Sequence, residues 1–283
     1  MPIKLAILVV HGMGSQTRDG FEKSTGKMIG LISGALRDGG VDPGEAAWKC
    51  GYWGDILQDH EDKLLRRFEW SRLDWKWLRH FVIDNLGDAV AYQRLPCKPD
   101  DFYYQIHGRL HRELLELRAA TGNQDVPLLV MAHSLGSYIM SNYIWDRQSA
   151  NQKGKPDPLG GTPFERMETL ATIVTFGCNI AVLSLSLNPY IGLAFPPKEL
   201  PPPMAAEARW LNFYDPDDVL GYPVKPLCTD YGANQKIEDH CIQVGGIASG
   251  WNPWSHDKYW TDSKFIQPAA KQIAALIQAA SAL

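Results

Sequence analysis

Residues 126–136 read VPLLVMAHSLG. From Val126 to Met131 no side chain is polar, and the run is too short for a buried helix, so it reads as a strand covered on both faces, as in a parallel sheet. A helical pattern follows through residue 147. Ser134 therefore sits where a strand turns sharply into a helix, with Ala132 two residues before it and Gly136 two after, small enough for neighbouring backbones to approach. A small-x-Ser-x-Gly pattern by itself arises by chance in roughly one chain in six of this length. The strand, turn and helix around it carry the information. Two readings of Ser134 follow: a hydroxyl displayed above a sheet edge, or an N-cap of the helix behind it.

Working outward, residues 3–10 (IKLAILVV) form a second strand, bounded by Lys4 and apolar from there on, that runs into His11-Gly12-Met13-Gly14, and the spacing predicts a helix over 21–38 and a strand over 46–53. Strand candidates recur at 171–176, 208–214 and 240–244, and residues 263–283 read as a closing helix. The alternation predicts an α/β fold, a mostly parallel central sheet flanked by helices, with residues 1–283 as a single domain. Residues 54–104 are helical in pattern and rich in tryptophan, including Trp70, Trp75 and Trp77, and are expected to form an inserted helical cap. Residues 180–206 are apolar but broken by Pro189, Gly192 and PPKELPPP; they read as a flap near the site or as an irregular packed loop.

The composition narrows the function. The chain has 283 residues, 28 Lys+Arg against 32 Asp+Glu, and 45% hydrophobic residues. With no long basic run, nucleic acid is not an expected partner. The five cysteines are scattered without a C-x-x-C pair and read as reduced thiols. LAILVV is too short for a signal peptide and leads into His11-Gly12 rather than a cleavage site, and no stretch is long enough to span a membrane. A cytoplasmic location is expected; transient contact with a membrane surface and the oligomeric state stay open. Gly20 to Lys27 (GFEKSTGK) has the wrong spacing for a phosphate loop, and His107 and His111 lack a third metal ligand, so they read as surface or cap residues. Neither a cofactor nor a metal is expected.

A serine hydroxyl becomes a nucleophile only beside a base, normally a histidine held by a carboxylate, and in folds with this turn the chain order is Ser, then Asp or Glu, then His. The order is present here. Asp215, Asp217 and Asp218 follow the strand at 208–214, and His256 precedes the last helix. His240 is set aside because it is expected at the far end of its strand. The backbone amides of Leu135 and Met13 are the expected donors to a developing oxyanion. Their neighbours His11, Gly12, Gly14 and His133 are expected to contact substrate.

These segments, VVHGMG, VMAHSLGS, NFYDPDDVLGYPVKPL and SHDKYW, resemble those of an α/β-hydrolase, and together with Gly87-Asp88 to Tyr92 they are similar to intracellular phospholipases of the DDHD type. The resemblance implies that Asp218 is the acid, and that Ser134, Asp218 and His256 form the catalytic set of a serine hydrolase acting on a carboxylic ester, with a small-molecule or lipid-like substrate. Asp215 and Val219 depart from that subfamily's acid segment, where His and Pro stand, and Ala132 stands where Gly is usual. Thioesterase or acyltransferase activity and a catalytically silent fold that binds a ligand or partner remain alternatives.

Overall fold

The computed structural model describes residues 2–12, 17–68, 87–92, 101–152, 161–187, 189–245 and 256–282. Six strands form one sheet: β1 (Leu5–Val10), β2 (Ala46–Gly51), β3 (Leu128–His133), β4 (Leu170–Phe176), β5 (Arg209–Tyr214) and β6 (Ile237–Cys241). The order is β2-β1-β3-β4-β5-β6 and every pairing is parallel. β1, β3 and β4 are buried at every position, which is why they read as unbroken apolar runs. This is an α/β fold with an all-parallel sheet.

Helices cover the sheet. They are α1 (Arg18–Asp38), α2 (Asp55–Phe68), the single turn α3 (Asp88–Ala91), α4 (Phe102–Ala120), α5 (Leu135–Gln152), α6 (Ile180–Leu183), α7 (Pro202–Glu207), α8 (Thr229–Ala233) and α9 (Ser263–Ala280). α1 begins where the Thr17 hydroxyl accepts from the Gly20 amide, and it buries Phe21, Thr25, Met28, Ile32 and Leu36, a stripe at helical spacing. The phosphate-loop look-alike at 20–27 lies inside this helix. α1 packs against α9, whereas α4 lies on β1 and β2 and α5 lies on β3. The crossovers β1-α1-β2 and β3-α5-β4 run in opposite directions across the sheet, so right-handed connections put their helices on opposite faces.

Parallel strands with matched register end together. Val10 pairs with Ala132, His133 with Phe176, and Phe176 with Phe213, so His11, Ser134, Gly177 and Asp215 emerge along one edge. Between β1 and β3 the winding reverses, which opens a crevice at the strands' carboxyl ends, and Ser134 stands beside it.

Two sequence expectations need correction. The last strand covers 237–241 rather than 240–244, because Glu238 and Asp239 lie inside it: the Asp239 carboxylate accepts from Asn212 Nδ2 (2.7 Å) and from the amides of Val224 (2.9 Å) and Lys225 (3.0 Å). A charged pair inside a strand hides it from a search for apolar runs. His107 is interior, not surface; its Nε2 lies 2.7 Å from the Tyr92 hydroxyl and its Nδ1 3.6 Å from Asp146. Of the cap expected at 54–104, α2, α3 and the start of α4 are described, while 69–86 and 93–100, with Trp70, Trp75 and Trp77, lie outside the described residues. The stretch 180–206 is irregular between α6 and α7, with Leu185 80% exposed. No helix among the described residues is long and apolar enough to cross a membrane.

Candidate active site

β3 ends at His133, and the next residue adopts φ +51°, a left-handed conformation that costs a non-glycine residue about 1–2 kcal/mol. That residue is Ser134. The turn is closed by the Ser134 amide donating to the Phe176 carbonyl (3.1 Å), the Ser137 amide donating to the Ser134 carbonyl (2.9 Å), and Ser137 Oγ donating to the Ala132 carbonyl (2.9 Å). Two glycines let β1 approach it. A Cβ on Gly136 would stand 2.3 Å from the His11 carbonyl oxygen, and one on Gly12 would stand 2.5 Å from Ser134 Cβ. Ser134 does not cap α5: an N-cap serine has extended backbone and accepts an amide bond from the first turn, whereas Ser134 Oγ is buried and has no hydrogen-bond partner among the described residues.

The three aspartates after β5 separate by what they bind. Asp215 is structural, its carboxylate accepting from the amides of Asp217 (2.8 Å) and Val244 (2.6 Å). Asp217 is exposed. Asp218 is buried and accepts His256 Nδ1 at 2.8 Å on Oδ2 and 3.0 Å on Oδ1. Two further donors hold it, the Leu220 amide on Oδ1 and the Tyr259 hydroxyl on Oδ2, both at 3.0 Å. Burial raises the Asp218 pKa, but the bonds and charge from His256, then the Leu220 amide and Tyr259, outweigh it and leave the carboxyl below its ordinary 3.8. With Nδ1 facing a carboxylate, Nδ1 carries the proton and Nε2 has a lone pair. Nε2 is buried and, like Ser134 Oγ, has no partner among the described residues. A hydroxyl and a lone-pair nitrogen, each unbonded, therefore lie at the same sheet edge.

Glycines again make room. A Cβ on Gly177, which has φ +57°, would stand 2.8 Å from His256 Cε1, and one on Gly221 would stand 2.7 Å from Asp218 Oδ2. His240 does not compete for this place, though not for the reason the sequence gives. It lies near the carboxyl end of β6, with its ring stacked on Phe213 (4.9 Å) and Nε2 3.2 Å from Glu238.

Among the expected oxyanion donors, Leu135 is the first residue of α5. With the Asn179 amide turned so that its nitrogen donates to the Ser134 carbonyl (3.0 Å), its oxygen accepts from the Leu135 amide (3.2 Å). Met13 and Gly14 lie outside the described residues. His11 and His133, expected to meet substrate, are both interior. His11 Nε2 accepts from the amides of Trp53 (3.1 Å) and Gly54 (3.3 Å), its ring stacks on Trp53 (4.6 Å) and Tyr52 (4.8 Å), and burial pushes its pKa down to about 3. It fixes the loop after β2 to the end of β1. His133 Nε2 donates to the His256 carbonyl at 2.8 Å.

Sequence reasoning missed Tyr259 and Asn179. Tyr259 lies three residues after His256, in a 3₁₀ turn (Tyr259–Thr261), and its hydroxyl accepts from the Asp215 amide (2.8 Å) while donating to Asp218. That spacing was a usable signal for Tyr259; Asn179, two residues beyond β4, gave none. Compared with protein-family models, with curated proteins and with solved structures, the chain matches none of them.

Tyr259→Phe is expected to destabilise the fold by about 1–3 kcal/mol at pH 7, since it strands a buried amide and withdraws a donor from a buried carboxylate. A carboxyl whose folded pKa lies below its unfolded value stabilises the fold above the unfolded pKa, and that contribution is lost as pH falls through the folded pKa. The variant's Asp218 pKa moves back up, so its contribution is smaller and disappears at higher pH. Melting curves from pH 7 to pH 2 should show the difference in Tm between variant and wild type narrowing in acid. A difference independent of pH would mean that Tyr259 acts by packing and the Asp215 bond alone.

Proposed function

We propose that this protein is a serine hydrolase with an α/β-hydrolase fold that cleaves carboxylic esters. The observation that carries the reading is Ser134 itself: held at positive φ in a strand-to-helix turn, with its hydroxyl bonded to none of the described residues, at the sheet edge that also holds the His256–Asp218 pair. The chain order Ser, Asp, His and the all-parallel sheet support it.

In the reaction, Ser134 Oγ attacks the ester carbonyl as His256 Nε2 takes its proton, and Asp218 keeps the imidazole in the tautomer that can do so. The negative charge that develops on the carbonyl oxygen is met, as the resemblance implies, by the Met13 amide and by the Leu135 amide, which gives up its bond to the Asn179 side-chain oxygen to do so. His256 returns the proton to the departing alcohol. Water, deprotonated by the same imidazole, then attacks the acyl-serine and releases the acid.

A hydrophobic acyl group fits the surroundings. Val182 of α6, Leu185 just after it, and Val219 beside Asp218 are apolar side chains 42%, 80% and 69% exposed on the loops that follow β4 and β5. Alongside α5, starting one turn after Ser134, a cavity of about 360 Å³ is lined by Tyr138, Trp145, Leu187 and Ile191 together with the polar Asn142 and Asp146, a size suited to a small ligand, although Ser134, Asp218 and His256 are not among its lining residues. Treating the purified protein with a fluorophosphonate and mapping the adduct by mass spectrometry tests the reading. Stoichiometric modification at Ser134, absent in His256→Ala, is expected, with p-nitrophenyl esters of medium chain cleaved faster than the acetate. A folded, monodisperse protein that stays unlabelled with and without detergent would make the site silent.

A further inference from the structure

We infer that His133 is a positioning residue that ties the backbone of His256 to the strand carrying Ser134, and so sets the distance over which the proton passes. The inference rests on the proposed hydrolase reading. Its basis is the 2.8 Å contact between His133 Nε2 and the His256 carbonyl, which crosses 123 positions of sequence. A carbonyl oxygen only accepts, so Nε2 carries the proton and the ring is in one tautomer.

The anchor is rigid at both ends. His133 is the last residue of β3, and its peptide leads directly into Ser134. The ring is 3% exposed and packed among Phe176 (5.0 Å), Trp260 (5.4 Å) and the His256 ring (4.7 Å). Burial, and then the charge of His256, push its pKa down to about 4, so it stays neutral at pH 7 and does not compete with His256 for the Ser134 proton.

The need for such an anchor follows from how His256 is held. Asp218 fixes the ring at Nδ1, but Asp218 is itself on the loop after β5, so this bond alone does not fix the distance of the pair from Ser134. The bond from His133 fixes the other end of the residue, at its main chain. With side chain and main chain both held, the direction of Nε2 is set. A displacement of about 1 Å between reacting groups costs on the order of 10²-fold in rate.

The test compares His133→Leu, which keeps apolar bulk without a donor, with His133→Gln, whose Nε2 reaches about as far as the imidazole Nε2. Both variants are checked for folding by circular dichroism and Tm. His133→Leu is expected to lower kcat and the rate of phosphonylation by about 10- to 100-fold with KM within a factor of about two, and His133→Gln to recover most of the loss. A folded His133→Leu with wild-type kcat overturns the inference, and so does a Gln variant no better than Leu, since ring packing alone would then explain the effect. In ¹⁵N-labelled wild-type protein, a slowly exchanging His133 Nε2–H signal, with a His256 ring signal that shifts in His133→Leu, is expected whatever the activity; its absence overturns the anchor. Wild-type protein that shows this signal but fails to label would instead overturn the hydrolase reading.

Discussion

Ser134→Ala is expected to leave a folded protein whose turnover of p-nitrophenyl esters falls on the order of 10⁶-fold, the loss seen when a catalytic serine is removed from a site of this kind. The removed Oγ is bonded to none of the described residues, so its loss strands no donor or acceptor among them. Alanine meets the same backbone restriction as serine at φ +51°, so the turn is neither relieved nor further strained. The stability change should therefore stay within about 1 kcal/mol. Loss of activity without loss of fold is what distinguishes a nucleophile from a structural serine. Steady-state kinetics with a thermal melt on the same sample checks both halves, and a variant that keeps wild-type kcat would end the proposal.

The fold was legible where burial is uniform. β1, β3 and β4 are covered on both faces and read as apolar runs, and the strand-turn-helix around Ser134 followed from the same pattern. The sequence misplaces β6 because this strand lies at the sheet edge and uses Asp239 in three hydrogen bonds that no periodicity reveals. The same shift affects His240, which the sequence places at a strand end it does not occupy, although its contacts with Phe213 and Glu238 lead to the same exclusion.

The candidate site reads from the sequence by order but not by role. Composition cannot separate Asp215, Asp217 and Asp218, which differ in burial and in which donors reach them; only the family resemblance pointed to Asp218. His11 and His133 carry polar rings at the right sheet edge, so sequence logic assigns them to substrate, yet packing turns both rings inward, where they hold backbone. A histidine's neighbours across the fold decide this, and they are distant in sequence.

Asp218→Asn is expected to lower kcat about 10⁴-fold, and the donors around the carboxylate say why. Oδ1 accepts from the Leu220 amide, which cannot reverse its direction, so the single oxygen of an asparagine is drawn to that position. Its amino group then takes the Oδ2 position, the one 2.8 Å from His256 Nδ1. An amino group there donates to Nδ1, which moves the imidazole proton to Nε2 and leaves no lone pair facing Ser134. The same amino group meets the Tyr259 hydroxyl, which already accepts from the Asp215 amide, so the variant also loses about 1–3 kcal/mol of stability. The signature in kinetics is a fall in kcat and in phosphonylation rate with little change in KM, measured well below the Tm of the variant. If Asp218→Asn stayed within tenfold of wild type, the carboxylate would not be setting the tautomer, and the role of His256 as base would have to rest on some other partner.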